Sequence, residues 1–376
     1  MITREPLRVI QAGAGRMGRE WISAVAANPR VDLVGVVDLD RRAALSATSS
    51  HGLVVPVAAT VTDLLAQVKA DALINVTVPA SHVAVTTEAL MAGLAVLCEK
   101  PLAPSVTEGW LLVAASAATD QLVMVSQSRR YWNAVTALRE QISQLGRLGS
   151  IHCSFAKAAH FGGFREEMGF PLLIDMAIHH FDLARALTGH DPVRVYCDAY
   201  NPPWSWFAGD ANAEVIFELG TGIRFSYSGS WCAPGLETSW NGEWRITGET
   251  GSARWDGDHH PVAQDVAGQQ IVGNSGTAPE QIAGSLTEFV EAVSEHHEPD
   301  GEVRDNLVSL AMVEAAIRSA TTGEPVWIAD VLTQAWTQAM AQAASQPGPI
   351  AAVLGSTPDP AVLLRRWPGA PIGGHS

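Results

Sequence analysis

Lysine is scarce in this sequence, and charged residues as a whole are few. The 376 residues include 24 lysines and arginines, of which only Lys69, Lys100 and Lys157 are lysine. Charged residues make up 17% of the chain, and the net charge is −15. Such an acidic chain repels phosphate backbones, which argues against nucleic acid as a partner. Because lysines are so few, one that lies at a strand end carries more information than usual.

Cysteine pairs and long apolar runs are also missing. The four cysteines lie far apart and form no C-x-x-C pair, a pattern that fits a reduced cytosol and disfavours a metal site. No run of about 18 apolar residues occurs, so we expect no membrane span. No long apolar run follows the charges of residues 1–6, which argues against a signal peptide. We therefore expect a cytoplasmic protein without a metal.

Strand-like and helix-like segments alternate through the first third of the chain. Short runs rich in β-branched residues are each followed by an alanine-rich stretch, which is typical of crossover units on a parallel sheet. We predict an α/β Rossmann dinucleotide-binding domain over residues 1–130. Its six predicted strands are 7–12, 31–37, 53–57, 72–76, 95–98 and 122–125.

The pattern changes near residue 148, where strands begin to dominate. Several of them alternate with period two and are joined by short turns, which favours antiparallel pairing. We predict an α+β domain over residues 131–330, with a large, mostly antiparallel open sheet for substrate binding and oligomerisation. Residues 331–376 are predicted as a C-terminal helix, 331–344, and an irregular tail. The predicted strands are 149–159, 193–200, 212–219, 222–231, 241–248 and 252–256, and the predicted helices are 171–188, 279–297 and 304–322.

A glycine-rich segment follows the first predicted strand and opens a helix. Gly13, Gly15 and Gly18 form G-x-G-x-x-G, and Asp38 lies 20 residues after Gly18, at the end of the second strand. The first glycine permits a tight turn, the second lets the backbone approach a pyrophosphate, and the third lets the helix pack on the sheet. In this context we favour dinucleotide binding over an ordinary glycine-rich turn.

Asp38 also bears on which dinucleotide is bound. A carboxylate at this position accepts hydrogen bonds from the ribose hydroxyls and repels a 2′-phosphate, which favours NAD over NADP. Arg41 and Arg42 follow closely and could instead embrace that phosphate, so NADP stays possible.

Lys100 closes the fifth predicted strand, between Glu99 and Pro101. Ligands of open parallel sheets bind beyond the carboxyl ends of the strands. An ammonium placed there can donate to a substrate hydroxyl and stabilise a developing alkoxide. The alternative is an ordinary surface lysine at a strand end.

Asp175 and His179 lie four residues apart on a predicted helix and so share a face. An imidazole with a pKa near 6.5 is a plausible base for a hydroxyl proton. Asp182, one turn beyond His179, could orient it. The alternative is a helix on which these side chains are merely solvated.

Together these motifs resemble the glucose–fructose oxidoreductase / inositol dehydrogenase (Gfo/Idh/MocA) family over about residues 6–328. The resemblance rests on Gly13–Gly18 with Glu99-Lys100-Pro101, and on the D-x-x-x-H motif, Asp175 to His179, of the predicted helix 171–188. Three further segments agree with the family: 77–82, 128–131 and 244–251. One departure is Phe170-Pro171, which puts bulk where relatives commonly carry glycines. The identity of the relatives' substrate is therefore not assigned to this chain.

The resemblance implies a set of site residues. The catalytic set would be Lys100, Asp175 and His179, with His179 as base, Lys100 stabilising the oxyanion and Asp175 orienting the pair. The cofactor would contact Gly13, Gly15, Arg16, Met17, Asp38, Thr77, Pro79, His82, Glu99 and Lys100. The substrate would contact Arg129, Arg130, Tyr131, Arg165 and His180.

Three functions remain open from the sequence. The first is an NAD-dependent oxidoreductase that acts on a secondary hydroxyl of a sugar, cyclitol or glycoside. The second is a glycosidase that uses NAD transiently, through oxidation and elimination. The third is a non-catalytic, nucleotide-binding regulator. In each case we expect the open face of the second domain's sheet to be covered by another copy, giving a homodimer or homotetramer.

Overall fold

The structure, a computed structural model, describes residues 5–364 and divides the chain into two units. The first unit contains the chain up to Ser128, Pro279–Leu307 and the chain from Gln334. The second contains Arg129–Ala278 and Val308–Thr333. The continuous boundaries at 130 and 330 therefore differ from the units, because segments late in the chain return to the first one.

The first unit is built on a six-stranded parallel sheet, as predicted. The strand order is β3-β2-β1-β4-β5-β6, with both halves starting from β1 at the centre. The strands are β1 Leu7–Ala12, β2 Val31–Val37, β3 Val57–Ala58, β4 Ala72–Asn75, β5 Ala95–Glu99 and β6 Val123–Ser126. The helices between them are α1 Arg16–Ala27, α2 Arg41–Ser49, α3 Val61–Leu65, α4 Pro79–Met91 and α5 Val106–Thr119. The third strand, predicted at 53–57, is only two residues long and begins at Val57.

The second unit carries a nine-stranded sheet that is antiparallel except for one central pair, so the predicted fold class is confirmed. Its order is β14-β13-β12-β11-β7-β10-β9-β8-β15, and β7 and β10 run parallel. The strands are β7 Leu148–Ala156, β8 Pro192–Tyr200, β9 Asn212–Leu219, β10 Arg224–Ser230, β11 Glu243–Gly248, β12 Gly251–Trp255, β13 Val262–Asp265, β14 Gln270–Ile271 and β15 Val326–Trp327. The last three strands were not predicted, since they have only two to four residues and too few positions to show alternation.

One face of this sheet forms the core of the second unit. Phe217 and Phe225 are cross-strand partners on β9 and β10, and both are buried. Phe181 packs edge-on against Phe217 with ring centroids 4.8 Å apart. The alternation of buried and accessible positions along β10 is what the period-two pattern predicts. Helices α6 Asn133–Ser143 and α7 Ile178–Thr188 belong to this unit.

The helix predicted over 171–188 is not uniform. Residues Leu172–Ala177 form a π-helix, and the α-helix α7 starts only at Ile178. Asp175 therefore lies in the wider π turn and His179 in the first α turn. Such insertions are rare and occur frequently at functional sites. No local sequence pattern in Leu172–Ala177 indicates the change from π-helix to α-helix.

The C-terminal part is more regular than the sequence indicated. Helices α8 Gln281–Glu295, α9 Val303–Thr322 and α10 Ile328–Ala344 match the predictions closely. The predicted irregular tail is wrong within 345–364, which contains α11 Pro349–Ser356 and α12 Pro360–Leu364. Each begins at a proline, whose fixed φ suits the first helical position. The predicted tail over 365–376 lies outside the described residues.

Within residues 5–364, no helix combines the length and the apolar character needed to cross a membrane. In the same residues, no group of three or more histidine, cysteine, aspartate or glutamate side chains is arranged to hold a metal ion.

Candidate active site

The glycine turn after β1 is too tight for any side chain at two of its positions. Gly13 has φ +98°, and a Cβ there would lie 2.5 Å from the carbonyl oxygen of Val76. A Cβ at Gly18 would lie 2.3 Å from the carbonyl oxygen of Gly13. The Gln11 side-chain amide donates to the carbonyl oxygens of Gly13 and Gly18, both at 2.8 Å. No role was predicted for Gln11, although a buried amide in an apolar strand is a signal for one.

Gly15 faces open space at the start of α1. A Cβ on Gly15 would meet no atom of the described residues within 4 Å. Gly15 is the N-cap of α1, and no side chain of the described chain caps that helix. Arg16 and Met17 form its exposed first turn. An uncapped helix N-terminus beside an open glycine is suited to bind the pyrophosphate of a dinucleotide.

Asp38 lies directly beside this turn at the end of β2. Its Oδ2 accepts a hydrogen bond from the Ala14 backbone N–H at 2.7 Å, and its Oδ1 accepts one from the Asp40 N–H at 2.7 Å. The carboxylate is half-buried. Its remaining lone pairs can accept ribose hydroxyls. The residues of this turn therefore fit NAD.

His82 was predicted to contact the cofactor, but its side chain lies buried between two backbone carbonyl groups. Its ring is fully buried, with Nδ1 2.7 Å from the Pro101 carbonyl oxygen and Nε2 3.0 Å from that of Thr77. Burial lowers the pKa of His82, although both carbonyls favour the protonated ring. His82 thus ties the loop that leads into α4 at Pro79 to the turn after β5. A buried ring cannot touch a cofactor, so it can act only by positioning Thr77 and Pro101.

Glu99 fixes the turn that carries Lys100. Its Oε1 accepts a hydrogen bond from the indole Nε1 of buried Trp21 at 2.8 Å. Its Oε2 accepts one from the backbone N–H of Lys100 at 3.0 Å. The peptide bond between Lys100 and Pro101 is cis. The backbone of Lys100 is therefore held by its neighbours, independently of its ammonium group.

In the second unit, Asp175 and His179 are both partly accessible, whereas Met176 and His180 are buried. Asp175 forms an ion pair with Arg165, whose Nε lies 2.6 Å from Asp175 Oδ2. The Asp175 side chain is 16% exposed and that of Arg165 is 37% exposed. The structure thus joins a residue predicted to be catalytic to one predicted to bind substrate.

Arg130 and Asp182 form an ion pair in the core and do not lie at the predicted site. Arg130 Nε and Nη2 donate to the two carboxylate oxygens of Asp182, each at 2.7 Å, and both side chains are buried. The hydroxyl of Ser309 also donates to Asp182 Oδ1 at 2.7 Å. The predicted substrate contact of Arg130 and the predicted orienting role of Asp182 are corrected accordingly, because this carboxylate neutralises a buried guanidinium.

His180 also lies in the core instead of on a substrate surface. Its ring is fully buried, 5.0 Å from that of Phe155 and 5.4 Å from that of Tyr227, measured between centroids. Burial lowers the pKa of His180 well below the usual value. The predicted substrate contact is therefore corrected: the adjacent residue His179 is the accessible one.

Arg129 and Tyr131 keep partly accessible positions. Arg129 donates from Nη1 to the Oδ1 of buried Asn241, which in turn donates to the Gly257 carbonyl oxygen at 2.7 Å. The guanidinium itself is largely buried, its Nε completely, and this burial lowers the pKa of Arg129 to about 10. Asn241 was missed by the sequence argument, and no local pattern marks it.

Comparison with known proteins agrees with both units. A model described as "Oxidoreductase family, NAD-binding Rossmann fold" matches residues 7–127, and the "GFO/IDH/MocA C-terminal domain" matches residues 135–254. The chain belongs to the Gfo/Idh/MocA family. As a member of this family it is an NAD(P)-dependent oxidoreductase, and the predicted resemblance, enzyme class and NAD cofactor are confirmed.

Two relatives resemble this chain over nearly their whole length. Inositol 2-dehydrogenase from Rhizobium meliloti is 27% identical over 335 residues, covering 84% of this chain and 98% of the relative. The uncharacterized protein y4oX from Sinorhizobium fredii is 29% identical over 349 residues, covering 86% and 96%. An oxidoreductase from Agrobacterium radiobacter, solved with NAD+, L-tartaric acid and magnesium, has a TM-score of 0.80 at 20% identity, covering 87% of this chain and 99% of that one. At that identity the solved structure supports the fold alone.

Proposed function

We propose that this protein transfers a hydride between a secondary hydroxyl of a sugar, cyclitol or glycoside and NAD. The observation that carries the proposal is the similarity to inositol 2-dehydrogenase along 98% of that relative. Two solved neighbours are described as a UDP-N-acetylglucosamine 3-dehydrogenase and an aldose-aldose oxidoreductase. Both share 20% or less of their sequence with this chain, so they support the fold, and the substrate class rests on the inositol 2-dehydrogenase relative.

The proposed roles follow from the chemistry of the side chains. His179 takes the hydroxyl proton as general base, and the carbon beneath loses a hydride, so that the alcohol becomes a ketone. Bound NAD would supply the acceptor for this hydride. The Lys100 ammonium stabilises the oxyanion that develops on the substrate, and Asp175 orients the catalytic groups. The ion pair with Arg165 supports this role of Asp175, since a nearby guanidinium favours the ionised carboxylate.

The proposal is tested by absorbance at 340 nm, with the purified protein, NAD and a panel of aldoses, cyclitols, sugar acids and aryl glycosides. We expect NADH to form with at least one member of the panel. Release of the aglycone without net NADH would instead identify the glycosidase that uses NAD transiently. Tight NAD binding with neither reaction would contradict the proposal and leave a nucleotide-binding regulator.

We also propose that the outward face of the nine-stranded sheet binds a second copy of the chain. This face presents Ile216, Tyr196 and Trp327, each between 45% and 52% exposed. Tyr196 and Ile216 are cross-strand partners, and the Arg194–Glu218 ion pair lies beside them. An accessible patch that combines large apolar side chains with paired charges is typical of an interface.

Replacing Ile216 with glutamate should therefore convert an oligomer into a monomer, because the patch would bury an unpaired charge. The measurement is the mass of the wild type and the variant by sedimentation velocity. Val54→Glu is the matched control, since Val54 is fully exposed in the first unit. A wild-type protein that sediments as a monomer would contradict the proposed interface.

A further inference from the structure

The loop before the π-helix is shaped by two consecutive glycines. Gly162 and Gly163 have φ values of +66° and +65°, in the left-handed region that favours glycine. They lead into a single 3₁₀ turn, Gly163–Arg165. The backbone N–H of Gly162 also donates to the Glu166 carboxylate at 2.8 Å. The turn is thus closed on itself and directs Arg165 toward Asp175.

The guanidinium of Arg165 is held without using its outer nitrogens. Its Nε donates to Asp175 Oδ2 at 2.6 Å. Its Cζ lies 4.9 Å from the centroid of the Phe164 ring and 5.6 Å from that of Phe161. Phe161 in turn packs against the buried ring of Trp231, with centroids 5.2 Å apart. One carboxylate and two aromatic rings therefore fix the orientation of this side chain.

The two Nη atoms of Arg165 remain available to a ligand. Across residues 5–364 they donate no hydrogen bond, and the side chain is 37% exposed. The two buried arginines of the second unit, Arg130 and Arg185, differ in this respect. Arg130 uses both Nε and Nη2 on Asp182, and Arg185 donates to Asp191 and Ser309. The Nη edge of Arg165 is therefore a pair of donors that the hydrogen bond to Asp175 does not use.

The chemistry of this edge selects its ligand. Two parallel N–H groups of a guanidinium match the two oxygens of a carboxylate, and such charge-assisted pairs are stronger than bonds to neutral hydroxyls. Three acidic neighbours, Asp175, Glu166 and Glu167, limit how much negative charge a ligand of Arg165 can carry. A carboxylate with one negative charge is favoured over a phosphate with two. We propose that Arg165 binds a carboxylate of the substrate, so that the alcohol oxidised belongs to a sugar acid or a similar polyhydroxy acid.

This inference rests on the proposed function, which it narrows. Arg165 is a specificity residue in this account, since it would hold a part of the substrate that does not react. Its ion pair with Asp175 links recognition to the candidate catalytic helix, where His179 follows Asp175 by four residues. A neutral sugar would offer the Nη donors only hydroxyl oxygens, whose hydrogen bonds are weaker than those of a carboxylate.

The test compares acids with their neutral counterparts. Rates are measured with NAD for the pairs D-galacturonate and D-galactose, D-glucuronate and D-glucose, and D-gluconate and D-glucitol. We expect kcat/KM for the acid to exceed that for its neutral partner by at least tenfold in one pair. Arg165→Gln should remove most of this difference, chiefly by raising KM for the acid, and Arg165→Lys should restore part of it. Arg147→Gln is the control, because Arg147 forms an exposed pair with Glu249 in the same unit.

Two results would overturn the inference while leaving the proposed function intact. One is a higher kcat/KM for the neutral member of every pair that reacts. The other is an equal loss for acid and neutral partners in Arg165→Gln, which would assign Arg165 to positioning Asp175 alone. If no compound is oxidised, calorimetric binding of the same acids to the NAD complex still tests Arg165. Binding of an acid that disappears in Arg165→Gln would then support the site and refute the proposed reaction, and no binding would refute both.

Discussion

Replacement of Lys100 with methionine is expected to lower kcat by about 10²–10³-fold while NAD still binds, because the variant removes the donor to the developing oxyanion. The backbone should keep its place. The Lys100 N–H donates to the Glu99 carboxylate, which is itself held by Trp21, and neither bond involves the ammonium. The measurements are steady-state kinetics with the best substrate of the panel and NAD affinity from fluorescence.

The matched control for this prediction is Lys69→Met. Lys69 is an exposed lysine of the same unit, so its loss changes the net charge equally without touching the site. We expect its kcat to equal that of the wild type. A Lys100→Met enzyme with more than half of the wild-type kcat would assign the oxyanion to another group. A loss of NAD affinity in that variant would show that the side chain serves the cofactor instead.

The fold could be predicted where the pattern is local. The parallel sheet follows from alternating strands and helices, and each predicted strand lies near an observed one. The parallel pairing of β7 with β10 could not be predicted, since it joins Cys153 to Tyr227 across an intervening helix and two strands. Period-two alternation shows which side chains are buried, and it contains no information about which strand is the neighbour.

The candidate site shows the same division between local and distant signals. The glycine turn and Asp38 are set by short-range sterics and by one strand end, and the structure brings them together as expected. Adjacent residues proved harder to separate. His179 is accessible and His180 is buried, and the sequence named both as site residues. Arg130 is buried in an ion pair with Asp182, and this could not be predicted because the partner lies 52 residues away in the sequence, beyond the reach of any local pattern.

The second large effect is expected from Arg130→Met, which should lower the free energy of unfolding by about 3–5 kcal/mol, the range for removing one partner of a buried ion pair. The loss leaves the Asp182 carboxylate buried with the Ser309 hydroxyl as its remaining donor among the bonds described above. Urea unfolding followed by tryptophan fluorescence measures the change. If the variant is as stable as the wild type and its KM rises, Arg130 is a substrate-binding residue and the prediction is wrong.

A double variant distinguishes the cost of the orphaned Asp182 charge from the cost of lost packing around Arg130. In Arg130→Met with Asp182→Leu both charges are gone, and apolar side chains of similar volume fill the space, so much of the stability should return. The recovery should be incomplete, because the Ser309 hydroxyl that donated to Asp182 is left in the core. Arg147→Met removes a guanidinium that is 88% exposed and should leave the urea midpoint unchanged. If the double variant is as unstable as Arg130→Met alone, the cost lies in the lost packing of the guanidinium and not in the orphaned charge.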